Sequence, residues 1–254
     1  LQPHRGQSFP ATDSLLLQSG HVLFMFLLIH VVISFNRFFN NLMCMGSEYG
    51  KWCFVDSPEL YNSIVISGGV GEDISFDVDF ASEYNAKIFL YDPTPRAIRH
   101  FKIVSENFGN ASTIDYVDGG DQPIETYDLS NLTSDNFVYV PYALWNEETT
   151  VKFFKPLKDE WVSHSISNIN RGYDKKSKEY IKVETIKLSD QIKEMDKLPS
   201  LLKLDIEGAV MEVLKDLFES KIFINQLCVE FEELQNPNSV NRSRVGEVER
   251  LLKD

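Results

Sequence analysis

Five short, largely apolar runs recur along the chain, at 63–67, 87–91, 137–144, 201–204 and 226–229, and helical spacing fills much of the chain between them. Residues 74–84 put Ile74, Asp77, Val78 and Ala81 on one helical face, and Val210, Val213, Leu214 and Leu217 do the same over 210–217. Pro95 opens a helix running to about residue 107, since a proline at the first helical position loses no hydrogen bond. A shorter helix over 188–195 stops ahead of Pro199. Strands alternating with helices predict an α/β domain over 60–250, with a mostly parallel sheet and helices on both faces. Pro141 divides the 137–144 run, because a proline cannot donate to a ladder, so its second half lies at an edge or leaves the sheet. Residues 108–136 are polar and turn-rich. Residues 151–186 alternate apolar and charged positions and read as a β-rich excursion or a partly open lid.

Residues 22–35 form an apolar run relieved only by His30 and Ser34. Fourteen residues fall short of the roughly 20 needed to span a bilayer; extending to Phe39 adds Asn36 and Arg37, which can snorkel at an interface. Two readings stay open: a signal anchor, or a packed N-terminal helix over 22–39. The run and three sequons, at Asn110, Asn131 and Asn241, tilt the expectation toward a single-pass, lumen-facing glycoprotein of the ER or Golgi over a cytosolic protein. The domains are therefore drawn as an N-terminal segment, 1–42, and a catalytic-type domain, 43–254. The first residue is Leu rather than Met, as at a processed end or a fragment boundary.

With 254 residues the chain can bury one large core, and a net charge of −13 argues against a nucleic-acid partner. The three cysteines form no metal-binding spacing. Cys228 sits in an apolar run as a core thiol, whereas Cys44 and Cys53 are either paired or free.

Candidate chemistry gathers where the 63–67 run meets Gly68-Gly69-Val70-Gly71-Glu72-Asp73. A strand, a glycine turn and a helix start form a cofactor cradle at a sheet edge. Asp92, twenty-one residues beyond Gly71, ends the neighbouring strand where a ribose would present its hydroxyls. A dinucleotide fingerprint needs a third glycine, but Ile74 stands there, and Glu72 and Asp73 place negative charge where a pyrophosphate would sit. A cationic cofactor without phosphates, such as S-adenosylmethionine, suits the turn better than a dinucleotide; a turn with no ligand is the remaining alternative.

Taken with Asp92-Pro-Thr-Pro, Val162-Ser-His-Ser, Leu202-Lys-Leu-Asp-Ile-Glu-Gly-Ala and the 226–231 strand, this turn resembles the FkbM-like family of class I S-adenosylmethionine-dependent methyltransferases. The likeness covers about residues 43–252. It implies a seven-stranded, Rossmann-like sheet and methyl transfer to a hydroxyl of a glycan or small polar metabolite. It marks Gly68, Gly69, Gly71, Asp73, Asp92 and Ala143 as cofactor-binding candidates. Two positions depart from the family pattern: Val210 replaces an acid, and Glu232 replaces a histidine. The chain ends about where relatives enter their final strand pair, which implies that the pair is absent or formed differently.

Asp205, Glu207, Glu230 and Glu232 are expected at one sheet edge, with strand alternation pairing 205 with 207 and 230 with 232. Crowded carboxylates need relief. Either one of Asp205, Glu207 and Glu232 acts as a general base, with His164 as a second candidate, or Mg²⁺ bridges Asp205, Glu207 and Glu230. The competing functions are a catalytically degenerate binding or scaffold protein and a nicotinamide-dependent oxidoreductase.

Overall fold

The computed structural model describes residues 22–25, 30–34, 41–110, 113–115, 126–156, 163–166 and 179–231, together with 243, 246, 247 and 250. Its strands are β1 Val22–Met25, β2 His30–Ser34, β3 Leu42–Met45, β4 Trp52–Val55, β5 Ile64–Gly68, β6 Lys87–Tyr91 and β7 Thr113–Asp115. They continue with β8 Thr126–Asp128, β9 Phe137–Val140, β10 Ala143–Trp145, β11 Thr150–Phe154, β12 Tyr180–Lys187, β13 Leu201–Leu204 and β14 Gln226–Glu230. The α-helices are α1 Ser75–Tyr84, α2 Pro95–Ser105, α3 Leu188–Lys193 and α4 Val210–Glu219.

Among the described residues, seven strands form one sheet in the order β1-β2-β14-β13-β5-β6-β9. Neighbours from β14 to β9 all run parallel. Every residue of β5 and β13 is buried, as central parallel strands covered on both faces require. Alternation sends Val65, Leu201 and Cys228 toward a core with α1, α2 and the β3–β4 hairpin, and Ile66, Leu202 and Val229 toward a second core with α3 and α4. The predicted α4 face is buried at all four positions, and Val210, one of the two departures from the family pattern, is 5% exposed as an ordinary core contact. Glu232, the other, lies outside the described residues, as does the Asn241 sequon.

At its described residues, 22–25 and 30–34, the 22–39 run is not the expected helix. Val22–Met25 and His30–Ser34 are strands: β2 pairs antiparallel with β14, and β1 antiparallel with β2. The apolar run has no period that separates strand from helix, and its Val31-Val32-Ile33 segment favours a strand. The open edge of β14 supplies the deciding term, since its amides and carbonyls need partners. This overturns the single-pass, lumen-facing placement, because among the described residues no helix is long and apolar enough to cross a membrane. Val22–Met25 and His30–Ser34 thereby belong to the main sheet, as the two strands beyond β14.

The 137–144 run divides at Pro141 as its chemistry requires. β9 stays in the main sheet, while β10 joins β12 and β11 in a second, three-stranded sheet that realises the β-rich excursion. Cys44 and Cys53, directly opposite in the β3–β4 hairpin, form a disulfide. Cys228 is a buried free thiol, pushed up to about 12 by desolvation.

Candidate active site

Parallel strands bring the carboxyl ends of β5, β6 and β13 to one edge, and a cavity of about 530 Å³ opens there. Its floor is the glycine turn after β5. Gly69 has φ +72°, and a Cβ at that position would stand 1.9 Å from the carbonyl oxygen of Asp205. Two strand ends therefore meet backbone to backbone, with the Asp205 amide donating to the Gly68 carbonyl at 2.9 Å and the Gly69 amide to Tyr91 at 2.9 Å. Gly68 itself does not face the cavity; it gives room to Leu144, Leu204 and Ile206.

Asp92 lines the cavity, but its carboxylate already holds the turn. One oxygen accepts from the amides of Val70 and Gly71 at 3.1 and 2.9 Å, and the other from the amide and hydroxyl of Thr94 at 2.8 and 2.6 Å. A carboxylate offers about four lone-pair sites, and these four donors occupy that number. Asp92 thus clasps the turn with the same carboxylate that was expected to meet a ribose. Asp73 also lines the cavity while tying down its neighbours: it accepts from the Ser47 hydroxyl at 2.6 Å and the Ser75 amide at 2.9 Å. Glu72 turns away from the cavity and is fully buried against Arg96 of α2, whose Nε donates at 2.8 Å and whose Nη2 makes a second contact. The charge that Glu72 was expected to place at the turn is therefore neutralised by a guanidinium.

Residues 205–209 leave β13 as a turn, with Gly208 at φ +81°, so strand alternation is not what positions the acids there. Asp205, Glu207 and Glu230 nevertheless all line the cavity, as do His164 and Ala143. His164 arrives on a segment stitched on both sides. Ser165 exchanges backbone hydrogen bonds with Phe154 at 2.8 and 3.1 Å, and the Glu207 carbonyl accepts from the Ser165 hydroxyl at 3.0 Å and the Ile166 amide at 3.3 Å. The second sheet thereby brings His164 beside the 205–209 turn. Among the described residues no three His, Cys, Asp or Glu side chains group as metal ligands, so Asp205, Glu207 and Glu230 share a cavity without forming the Mg²⁺ set that was the alternative to a metal-free base.

Several lining residues were not assigned to the site from sequence. Tyr49, Lys51 and Trp52 come from the β3–β4 hairpin, and Tyr91 from the end of β6, its phenol pushed up to about 12 by burial and so protonated at neutral pH. Lys203, in the middle of β13, is 4% exposed and also reaches the cavity. The signal for Lys203 was present as a lone charge inside Leu-Leu-Lys-Leu.

A solved structure of similar shape is that of the methyltransferase FkbM from Methylobacillus flagellatus KT, 10% identical with a TM-score of 0.43 over 74% of this chain. The chain spans 36% of that protein's length. Among curated proteins none matches the chain. Residues 123–254, half of the chain and the part carrying His164, Lys203 and the 205–209 turn, match the Methyltransferase FkbM domain, and the chain belongs to that methyltransferase family.

Proposed function

We propose that the cavity binds S-adenosylmethionine over the glycine turn and that the chain methylates a hydroxyl of a glycan or small polar metabolite. The observation that carries this reading is the junction, in one chamber of about 530 Å³, of the Gly69–Gly71 turn with Asp205, Glu207 and His164. That volume lies in the range of roughly 300–1,000 Å³ usual for small-molecule sites. The donor set fits a cationic cofactor. Asp73, Asp205, Glu207 and Glu230 attract an ammonium and a sulfonium, while the turn's backbone and Ala143 supply its walls.

The same geometry disfavours a nicotinamide dinucleotide. The Val70 and Gly71 amides are held by Asp92, the Ile74 amide by the Tyr127 phenol at 3.2 Å, and the Ser75 amide by Asp73. A pyrophosphate needs those donors for itself. A collapsed space beside Gly69 would have favoured a degenerate binding scaffold; the space there is open.

When bound, the cofactor supplies an electrophilic methyl carbon on a sulfonium. The chain's own work is to align the acceptor oxygen and remove its proton. Glu207 or Asp205 accepts that proton, with His164 as the other basic group at the same wall. Orientation contributes much of the rate, because the acceptor oxygen must sit in line with the bond that breaks. Tyr49 and Phe153 line the cavity, and aromatic side chains there suit a sugar ring in the acceptor.

The reading is tested by calorimetric titration with S-adenosylhomocysteine, for which saturable binding is expected. Glu207→Gln should keep that affinity and lower methyl transfer roughly 100-fold, the usual scale of a general base. No binding to folded protein at millimolar ligand refutes the cofactor, and wild-type turnover by the variant refutes the role of Glu207.

A further inference from the structure

Lys203 is a charge where β13 should carry a hydrophobic residue. Alternation turns its side chain to the α1 face, among Trp52, Ser67 and Asp77, and leaves it 4% exposed. Its ammonium donates to the Ser67 hydroxyl at 3.3 Å and to the Gly69 carbonyl at 3.2 Å, and lies 5.2 Å from the centre of the Trp52 ring. Both hydrogen bonds are long for a cation, and an ammonium carries three donors.

The buried counter-charge is Asp77, on the first turn of α1. It is fully buried and makes no close hydrogen bond, although the Ser67 hydroxyl lies near enough to favour its charged form. Desolvation raises its pKa, while the Lys203 charge and the Ser67 hydroxyl oppose the rise. Asp77 therefore balances Lys203 electrostatically without consuming its donors. The cavity side has the opposite character. Glu48, Asp73, Asp205, Glu207 and Glu230 line it, and Lys51 is the other lysine there, on an exposed loop position. A ligand carboxylate entering that acidic chamber is attracted only beside its two lysines, of which Lys51 is exposed to solvent and Lys203 is buried next to the glycine turn.

We propose that Lys203 is a ligand-binding residue, receiving the carboxylate of the cofactor's amino-acid moiety at the floor of the cavity beside Gly69. The assignment rests on the methyltransferase reading and adds to it the group that recognises the zwitterion: acids for the ammonium, one buried lysine for the carboxylate. It also gives a role to a lysine that stands where a leucine would pack at lower desolvation cost.

The test compares S-adenosylhomocysteine with its decarboxylated analogue, which keeps the ammonium and lacks the carboxylate, by calorimetric titration of the full chain. Wild-type protein should prefer S-adenosylhomocysteine by about 10- to 100-fold, the scale of a charge-assisted hydrogen bond. Lys203→Met should remove that preference while leaving affinity for the decarboxylated analogue within about threefold. Because Lys203→Met strands a buried carboxylate, Lys203→Met with Asp77→Asn removes both charges together and serves if the single variant fails to fold. Equal loss for both ligands, or no loss, overturns the assignment, as does wild-type protein that binds both alike. Wild-type protein that binds neither refutes the methyltransferase reading itself, and the assignment with it.

Discussion

Gly69→Ala measures how tightly the cradle is built. At φ +72° an alanine pays the left-handed penalty of roughly 1–2 kcal/mol. Its Cβ would also lie 1.9 Å from the Asp205 carbonyl oxygen and 2.6 Å from the carbonyl carbon, both backbone atoms with no rotamer to move. Relief requires the turn to part from the end of β13, which loosens the Asp205–Gly68 and Gly69–Tyr91 hydrogen bonds, both 2.9 Å. Each contributes about 0.5–1.5 kcal/mol net. The total loss is about 2–5 kcal/mol, or roughly 5–20 °C in Tm for a domain of this size. Gly109→Ala is the matched control, with φ +78° but only the Leu132 carbonyl nearby, at 3.9 Å. It carries the backbone penalty alone, roughly 1–2 kcal/mol. Scanning calorimetry on both variants separates crowding from conformation. Equal Tm losses for the two would show that the close approach of β5 and β13 is not a constraint, and would undo the account of the cradle.

Three further outcomes are expected. Arg96→Met removes the guanidinium from fully buried Glu72 and should cost about 3–5 kcal/mol in urea unfolding; Arg96→Met with Glu72→Gln should recover most of it, and a single variant as stable as wild type would contradict the pairing. Thiol titration should count none in the native protein, one after denaturation and three after reduction, because Cys44 and Cys53 are bonded and Cys228 is buried with its thiol near 12. Opening that short disulfide loop by Cys44→Ser with Cys53→Ser should lower stability by roughly 2–3 kcal/mol; a reactive native thiol or an unchanged melt would count against the hairpin. Asp92→Ala releases the amides of Val70, Gly71 and Thr94 and should weaken S-adenosylhomocysteine by roughly tenfold or more with a lowered Tm; weaker binding with an unchanged Tm would instead mark Asp92 as a direct ligand contact.

Much of the parallel sheet could be read from local chemistry. β-branched runs, the proline at 95 and the helical face at 210–217 each state their element without help from distant residues, and β6 and β13 fall where their runs do. The glycine turn was legible for the same reason, since Gly69 and Gly71 adopt positive φ, a conformation that glycine reaches without strain. What tertiary structure decided was everything that depends on a partner far along the chain. The 22–35 run had no period, and the open edge of β14, some two hundred residues away, made His30–Ser34 strand, with Val22–Met25 paired to it in turn. Asp92 and Glu72 were legible as acids near a turn, but their donors lie on other elements, which made one a clasp and the other an ion pair. Lys203 was visible as a charge among leucines; only the sheet's alternation set it beside Trp52, Gly69 and the cavity. Hydrophobic pattern and turn chemistry act over a few residues and survive in the sequence, whereas pairing of edges and charges is settled by the space the fold closes.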